Sequence, residues 1–454
     1  MKESGNSGLD YAHGKIGRLF RKIFFPTLWG MIFTALITII DGVFVGRGVG
    51  PDGIAAVNII APIYMVATGI GLMLGIGASV MAGMTLAEGN RRKTNAIVSQ
   101  SFMAATAVMS LIIVIVLCAP EKVALLMGSS HHLLTNAVDY LTWIVVAALF
   151  VAWSSIGMMV IRLDGSPKYA MMINIVPAIL NIVGDYILIF PLGMGVKGAA
   201  VATMASVAVG GIMALAYFRF SYVIKLKADL TDMWSHLRRV LAIGSSAFVT
   251  EVAMSIMMFT GNFIFMRDFG DAGVAAYSIA CYLFPLIFMM SNAVAQSAQP
   301  IMSFNVGIRQ TERVIEAFKV SLRVAFICGL IVFGGIAFLS KPIVSLFIPT
   351  DSAAGVIAVG GLPIFSVCAV FFSLNISCIG FCQSLGLALR AMVYTLLRGV
   401  VILVPMFFIC SSLFPSRGVW GAIPMSEILT LIVITLTIRP RKMLASILKD
   451  CGRA

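Results

Sequence analysis

The chain has 454 residues, of which 60% are apolar and only 11% are charged, and its mean hydropathy is +1.02. Soluble domains carry roughly 25% charged residues. This composition excludes a soluble enzyme, a nucleic-acid-binding domain and a disulfide-framed secreted module. The continuous apolar runs also exclude a transmembrane β-barrel, whose strands alternate in polarity. We therefore expect an all-α polytopic membrane protein.

Apolar segments follow one another along the chain, each near the length of about 20 residues that spans a bilayer. We predict twelve transmembrane helices, near residues 23–46, 54–80, 95–118, 135–161, 168–191, 198–218, 240–266, 274–300, 317–339, 355–381, 388–410 and 418–437. An even number of spans places both termini on one side of the membrane.

The distribution of basic residues indicates which side that is. Of 32 lysines and arginines, 26 lie on the side of the termini, and the other six are Arg47, Lys122, Lys197, Arg267, Lys341 and Arg417. Cytoplasmic loops are enriched in basic residues, so both termini are predicted to be cytoplasmic. The net charge of +13 thus reflects topology, with some contact to anionic lipid, and gives no indication of nucleic acid.

Short motifs recur 218 to 223 residues apart. Gly53-Ile-Ala-Ala-Val recurs as Gly273-Val-Ala-Ala-Tyr, and Gly195-Val-Lys-Gly-Ala recurs as Gly418-Val-Trp-Gly-Ala. Six spans in each half, both starting on the cytoplasmic side, predict two parallel six-helix repeats, a design of secondary transporters. The predicted parts are a cytoplasmic arm (1–22), an N-lobe (23–224), a cytoplasmic connector (225–239), a C-lobe (240–438) and a cytoplasmic tail (439–454).

Acidic residues inside predicted spans are candidate functional residues, because an intramembrane carboxylate costs several kcal/mol. Asp41 in span one and Asp185 in span five share a lobe and a depth near the outer boundary. Asn181 precedes Asp185 by one turn, and Thr203 and Tyr140 lie at a similar level. These oxygens suit Na⁺, or the two carboxylates share a proton. The alternative is that they only join helices.

The second half has acids of its own. Glu251 lies near the middle of span seven, where an inward-facing carboxylate would bind a cationic substrate or a proton. Glu427 in span twelve has the same potential role, or it is hydrogen-bonded and structural.

No other cofactor or metal is indicated. His131 and His132 lie in an outer loop and are read as a solvated pair, and the eight cysteines have no spacing typical of a disulfide or a zinc site. No deep histidine or serine–histidine arrangement suggests an intramembrane enzyme. No phosphate-binding G-x-x-x-x-G-K-[ST] motif occurs either, so nucleotide-driven transport is not expected.

Several motifs together resemble the multidrug and toxic compound extrusion (MATE) family over essentially the whole chain. They are Asp41-Gly-Val-Phe-Val-Gly, Gly53-Ile-Ala-Ala-Val-Asn, Gly165-Ser-Pro-Lys, Asn181-Ile-Val-Gly-Asp, Gln296-Ser-Ala-Gln-Pro, Gln383-Ser-Leu-Gly and Gly418-Val-Trp-Gly-Ala. The match is closest to the bacterial branch of DNA-damage-inducible and MepA-like exporters.

The resemblance implies antiport, in which organic compounds leave as H⁺ or Na⁺ enters. It implies a coupling site at Asp41, Asn181 and Asp185, with Thr203 matching a hydroxyl residue in the sixth span of the family. The acid at Glu251 instead resembles a feature of the family's other bacterial branch, so either lobe could carry the coupling ion. We expect a monomer in the bacterial inner membrane whose partners are a small organic substrate and lipid. The alternative is a flippase for a lipid-linked saccharide, for which Arg390 and Arg398 would supply cationic groups.

Overall fold

Helices make up nearly all of the chain that the structure describes. The computed structural model describes residues 9–49, 51–221, 223–227, 229–414 and 417–450, and within these ranges there is no β-strand. In the helices, the side chains of residues 38, 39, 41–43, 46, 51, 52, 54, 58 and 446–450 fall outside the description. The all-helical fold class is therefore confirmed.

The helices belong to two compact units, Arg21–Phe248 with the residues up to Gly14, and Val249–Ala454 with Lys15–Phe20. In chain order, the helices that begin before residue 233 are α1 (Ile16–Gly48), α2 (Pro51–Ala87), α3 (Arg91–Cys118), α4 (Pro120–Leu126), α5 (Leu134–Leu163), α6 (Pro167–Ile189) and α7 (Gly195–Phe220). Within the first unit, α5 packs against both α2 and α7, and α6 packs along α7.

One long helix, α8 (Met233–Gly307), contributes to both units. It is followed by α9 (Thr311–Phe338), α10 (Ser340–Ser345), α11 (Ala353–Ser366), α12 (Cys368–Ser384), α13 (Ala388–Leu396), a π-helix (Leu397–Val401), α14 (Leu403–Leu413), a 3₁₀-helix (Gly418–Gly421), α15 (Ala422–Thr437) and α16 (Pro440–Asp450). In the second unit α12 lies against α9 and α15, around a large apolar cluster that includes Phe265, Phe365 and Phe407.

The long helix accounts for two of the predicted spans. Gly270 interrupts it with a left-handed φ of 63° and a ψ of −153°, a conformation that glycine adopts without a Cβ clash. Eleven segments of the described chain are long and apolar enough to cross a membrane when α8 is taken as one. Division at Gly270 gives twelve, as predicted from the sequence.

The first helix begins earlier than the first predicted span. It starts at Ile16, and the side chains of Ile16, Leu19, Phe20 and Ile23 are all buried. These positions recur at the spacing of one helix face, while the residues between them are Gly17 and three basic residues. An average hydropathy does not reveal such an amphipathic turn, which explains the difference.

The polar connector is held against the start of α3. The Asn95 side chain accepts a hydrogen bond from the Lys225 amide at 2.9 Å, and Gln100 donates to the carbonyl of Asp229 at 2.8 Å. Arg92 also pairs with Asp229 at 3.1 Å. Hydrogen bonds from Thr231, together with Arg92, lower the pKa of Asp229 to about 2. The connector is thus bound to the start of α3 by hydrogen bonds and an ion pair.

Two glycines allow α2 and the start of α8 to touch. A Cβ built on Gly77 would lie 2.0 Å from the carbonyl oxygen of Val240, and one built on Gly244 would lie 1.8 Å from the carbonyl oxygen of Met73. Both contacts are within the first unit. Only glycine permits backbones to approach this closely, as is common where membrane helices cross.

We expect Gly244→Ala to lower the thermal unfolding midpoint of the purified protein, because the two helices must separate to admit the methyl group. Overpacking of this kind costs about 1–3 kcal/mol. Gly335→Ala in α9 is the matched control, since no atom lies within 4 Å of its added Cβ. Its midpoint should stay the same or rise slightly, because alanine favours helix. Equal midpoints for the two variants would contradict the close crossing.

Candidate functional site

The polar residues of α6 and α7 form the first candidate site. Asn181 and Asp185 are four residues apart in α6 and therefore share one helix face. Both are buried, Asp185 completely. The Asn181 side-chain amide donates a hydrogen bond to the hydroxyl of Thr203 in α7 at 3.3 Å. The structure thus brings together two of the predicted residues and places the third one turn away.

Small residues bring these two helices close enough for that contact. A Cβ built on Gly184 would lie 3.0 Å from the Cβ of Ala202. Gly184 adjoins Asp185, and Ala202 adjoins Thr203, so the tight approach occurs at the level of the polar groups. The Asp185 carboxylate is therefore buried beside the close approach of α6 and α7.

The C-terminal end of α1 packs beside the same helices. Val45 is buried in a cluster with Ile189 of α6 and Ala199 of α7. Val45 lies four residues after Asp41, just as Ile189 lies four residues after Asp185, so the backbones of the two acids lie one turn from a shared contact. Asp41 is in α1, but its side chain lies outside the described residues.

Tyr140 approaches α7 from α5. Its side chain is buried in an apolar cluster that includes Val196 and Ala200, one turn before Thr203. The ring therefore packs against the part of α7 that precedes Thr203. Carboxylate, amide and hydroxyl oxygens are the ligands that suit a hard cation. In the part of the chain that the structure describes, no group of three or more histidine, cysteine or acidic side chains forms a metal site, and His131 and His132 are both exposed.

A second candidate site lies in the second unit, around Glu427 of α15. The Glu427 carboxylate accepts a hydrogen bond from the Arg398 guanidinium at 3.2 Å and another from the Asn375 side-chain amide at 2.7 Å. The same amide donates to the Glu427 carbonyl at 2.9 Å. The guanidinium carbon also lies 4.4 Å from the centre of the Phe372 ring. All four side chains are buried.

This ion pair lines a small cavity of about 10 Å³, which is room for roughly one water molecule. The remaining wall is largely apolar and comes from α8, α14, α15 and the π-helix; it consists of Ala253, Met254, Met257, Phe284, Gly399, Leu403 and Ile423. Arg398 stands in the π-helix, near the middle of the apolar segment Ala388–Leu413. Widened turns of this kind are frequent at functional sites.

Glu251 is separate from this network. It lies in α8 and is half-buried, and it makes no hydrogen bond or ion pair with the described residues. Glu251 is also not one of the residues that line the cavity beside Glu427. Of the two acids predicted in the C-lobe, Glu427 is therefore hydrogen-bonded and ion-paired, whereas Glu251 has no such contact with the described residues.

Arg398, offered by the sequence with Arg390 as a cationic group for a flippase, lies near the middle of the apolar segment Ala388–Leu413 and is paired with Glu427. Asn375, the other hydrogen-bond partner of Glu427, could not be recognised from the sequence, because no acidic residue lies near it in the chain. The available signal was the occurrence of opposite charges in consecutive spans, because charges inside a membrane are expected to pair.

A third buried acid, Asp164, follows α5 outside the spans. Its carboxylate accepts hydrogen bonds from Tyr217 at 2.6 Å and Ser221 at 2.8 Å. Burial raises the pKa of Asp164 above its ordinary value, and these hydrogen bonds oppose the rise. Nearby, the Tyr11 hydroxyl donates to the carbonyl of Arg162 at 2.7 Å and ties the N-terminal arm to this end of α5.

A family model described as MatE matches residues 26–187 and 246–409, which is more than half of the chain. The chain is 26% identical over 423 residues to the multidrug export protein MepA of Staphylococcus aureus strain MRSA252, covering 91% of each protein. MepA of Staphylococcus saprophyticus is also 26% identical, over 414 residues, covering 88% of this chain and 89% of that protein.

A solved structure has the same fold. It is the outward-facing conformation of a multidrug resistance MATE family transporter of the MOP superfamily, and the TM-score is 0.90. The alignment covers 98% of this chain and 99% of that one at 24% identity. The likeness confirms the arrangement of twelve membrane helices expected from the sequence.

Proposed function

The chain belongs to the MatE family of membrane transporters, and from this premise we propose that it is a secondary active antiporter. It exports organic compounds, chiefly cations, and takes up H⁺ or Na⁺ in exchange. The observation that carries the proposal is the buried carboxylate of Asp185 beside the Asn181–Thr203 hydrogen bond. The multidrug export proteins to which the chain is similar support the class of substrate.

The coupling ion binds among Asp41, Asn181, Asp185 and Thr203, with Tyr140 against the neighbouring part of α7. From the outside, H⁺ or Na⁺ neutralises the buried carboxylates and favours one conformation; substrate favours another. Such opposed preferences, worth a few kcal/mol, are what coupling requires. Release of the ion to the inside resets the site. Glu251 and Glu427 are proposed to take substrate or a proton in the C-lobe.

The transporter is proposed to act as a monomer in the bacterial inner membrane, with both termini in the cytoplasm. The positive-inside distribution of lysine and arginine supports this orientation. Its partners are the substrate and the surrounding lipid, and no cofactor beyond the coupling ion is proposed.

The flippase alternative is not favoured. A pyrophosphate group requires free cationic side chains, whereas Arg398 is paired with Glu427. The two Staphylococcus relatives described above are multidrug export proteins.

The proposal predicts that pump-deficient bacteria expressing the chain will expel ethidium and that bacteria expressing Asp41→Asn at equal membrane abundance will not. Asparagine keeps the shape of the side chain but neither titrates in this range nor binds Na⁺ with a full charge. Asp351→Asn is the matched control, because Asp351 is exposed in the loop before α11, and it should behave as the wild type. Full efflux by Asp41→Asn would rule out the assigned role, and no efflux by the wild type would contradict a cationic substrate.

A further inference from the structure

Asp164 is a buried carboxyl group that the proposed coupling mechanism does not use. It follows the end of α5, and the residue is only 5% exposed. Its Oδ2 accepts hydrogen bonds from the hydroxyls of Tyr217 and Ser221, whereas its Oδ1 is buried and accepts none from the described residues. Two donors on one oxygen stabilise the ionised form, and a bare second oxygen destabilises it. Because the two effects oppose each other, neither form is strongly excluded.

A chain of hydroxyl groups leads away from this carboxyl. The Tyr217 oxygen lies 2.6 Å from Oδ2 of Asp164 and 2.8 Å from Oγ of Ser166, the N-cap residue of α6. A hydroxyl has one proton to donate, so Tyr217 donates in one of these contacts and accepts in the other. The direction of the chain therefore depends on whether Asp164 is charged.

The same heavy-atom positions accommodate both forms of the carboxyl. When Asp164 is ionised, Ser166 donates to Tyr217, and Tyr217 donates to the carboxylate. When Oδ2 carries a proton, Asp164 donates to Tyr217, and Tyr217 turns its own proton to Ser166. The proton of the neutral form thus has an acceptor, without which a buried carboxylic acid would be left with an unpaired O–H group.

The other ionisable groups next to Asp164 do not titrate near neutral pH. They are the phenols of Tyr11 from the arm and Tyr217 of α7, with Tyr169 of α6 packed on the Tyr217 ring at 5.0 Å, and the guanidinium of Arg162, two residues earlier in the chain. Phenols titrate near pH 10, about the ordinary tyrosine pKa, and arginine stays charged. Burial raises the pKa of Asp164 above its ordinary value.

We infer that Asp164, Tyr217 and Ser166 form a proton-binding site where α5 ends and α6 begins, and that proton uptake reverses the hydroxyl chain. The site is distinct from the proposed coupling site. Asp185 lies nineteen residues after Ser166 in α6, which is about 28 Å along a helix. The Tyr11 hydrogen bond to α5 places the site on the side of the N-terminal arm, so in the proposed orientation it responds to the pH of the cytoplasm.

Proton uptake also weakens the anchor of the polar connector. Ser221, the C-cap residue of α7, donates to Asp164 at 2.8 Å and accepts from the amides of Val223 at 3.3 Å and Ile224 at 3.2 Å. Ser221 is therefore held as a donor toward Asp164. A hydrogen bond to a charged oxygen is roughly twice as strong as a neutral one. Neutral Asp164 thus holds the turn at which the connector begins less firmly than the carboxylate does.

Infrared difference spectroscopy of the purified full chain over a range of pH tests the site directly. We expect the carbonyl band of a protonated carboxyl that disappears with a midpoint above the ordinary aspartate value of about 4. The band should persist in Asp351→Asn, which removes an exposed carboxyl, and should be missing from Asp164→Asn. Identical titrations of the wild type and Asp164→Asn would overturn the inference, and so would a midpoint at the ordinary value.

Ser221→Ala keeps the carboxyl and tests the assignment even if Asp164→Asn fails to fold. The substitution removes a donor to the ionised form only, because both acceptor positions of Ser221 are occupied by backbone amides. We expect the proton affinity of Asp164 to rise about tenfold, as for loss of a hydrogen bond to a charged group. An unchanged midpoint would show that the band belongs to another carboxyl and would refute the assignment.

Amide hydrogen exchange in the connector measures the consequence of proton uptake. Wild type and Asp164→Asn, whose side chain is always neutral, are compared at each pH. Above the midpoint, the amides of Val223 and Ile224 should exchange about fivefold faster in the variant, and below it the two proteins should agree. A ratio that does not change with pH would contradict the link between the proton and the connector. These measurements use no substrate and no ion gradient, so their outcome is independent of the proposed antiport.

Discussion

Asp185→Asn is expected to abolish ion-driven export and to leave the folded protein intact. The carboxylate is completely buried in α6, one turn from the Asn181–Thr203 hydrogen bond. An asparagine at this position keeps the shape and removes the charge that attracts H⁺ or Na⁺. Because an ionised carboxylate inside a membrane is costly, its removal should not lower stability.

The measurement is the initial rate of substrate export at matched abundance in the membrane. For Asp185→Asn we expect a loss on the order of a hundredfold, the range typical of a coupling interaction worth about 3 kcal/mol. Asp351→Asn, which changes an exposed carboxyl in the same way, should export at the wild-type rate. Undiminished export by Asp185→Asn, with its thermal unfolding midpoint unchanged, would remove Asp185 from the coupling site.

Arg398→Met is expected to destabilise the protein strongly, by about 3–5 kcal/mol. The substitution leaves the carboxylate of Glu427 buried with the Asn375 amide as its remaining hydrogen-bond donor among the described residues. It also removes the contact with the Phe372 ring. The single variant should therefore unfold at a clearly lower temperature or denaturant concentration than the wild type.

The double variant Arg398→Met/Glu427→Leu should recover most of that loss, because neither charge remains to be desolvated. A cycle of the two single variants and the double variant measures the coupling between the residues. If the double variant were destabilised by the sum of the two single effects, the side chains would not interact, and the observed pair would not contribute to stability.

The number of membrane-spanning helices could be predicted from the sequence because its determinants are local. Span length and apolar content are visible without tertiary structure. The boundaries that differed were those set by packing. Ile16 extends α1 because one face of an otherwise polar turn is buried, and Gly270 separates two spans at a kink inside α8.

The two candidate sites differ in how far sequence alone could describe them. Asn181 and Asp185 share a helix face by their spacing, and counting residues from the outer boundary put Thr203 at the same depth. The partner of Glu427 could not be found in that way, because Arg398 and Asn375 come from other helices. Only the packing of α12, the π-helix and α15 brings these three together.

The central claim is that an ion gradient drives substrate movement, and the most direct test uses purified protein in proteoliposomes. Uptake of a fluorescent organic cation is measured with a pH gradient, with a Na⁺ gradient, and with neither. The account predicts that at least one gradient drives the cation against its own concentration gradient and that Asp185→Asn prevents this. Equal flux in all three conditions would contradict it.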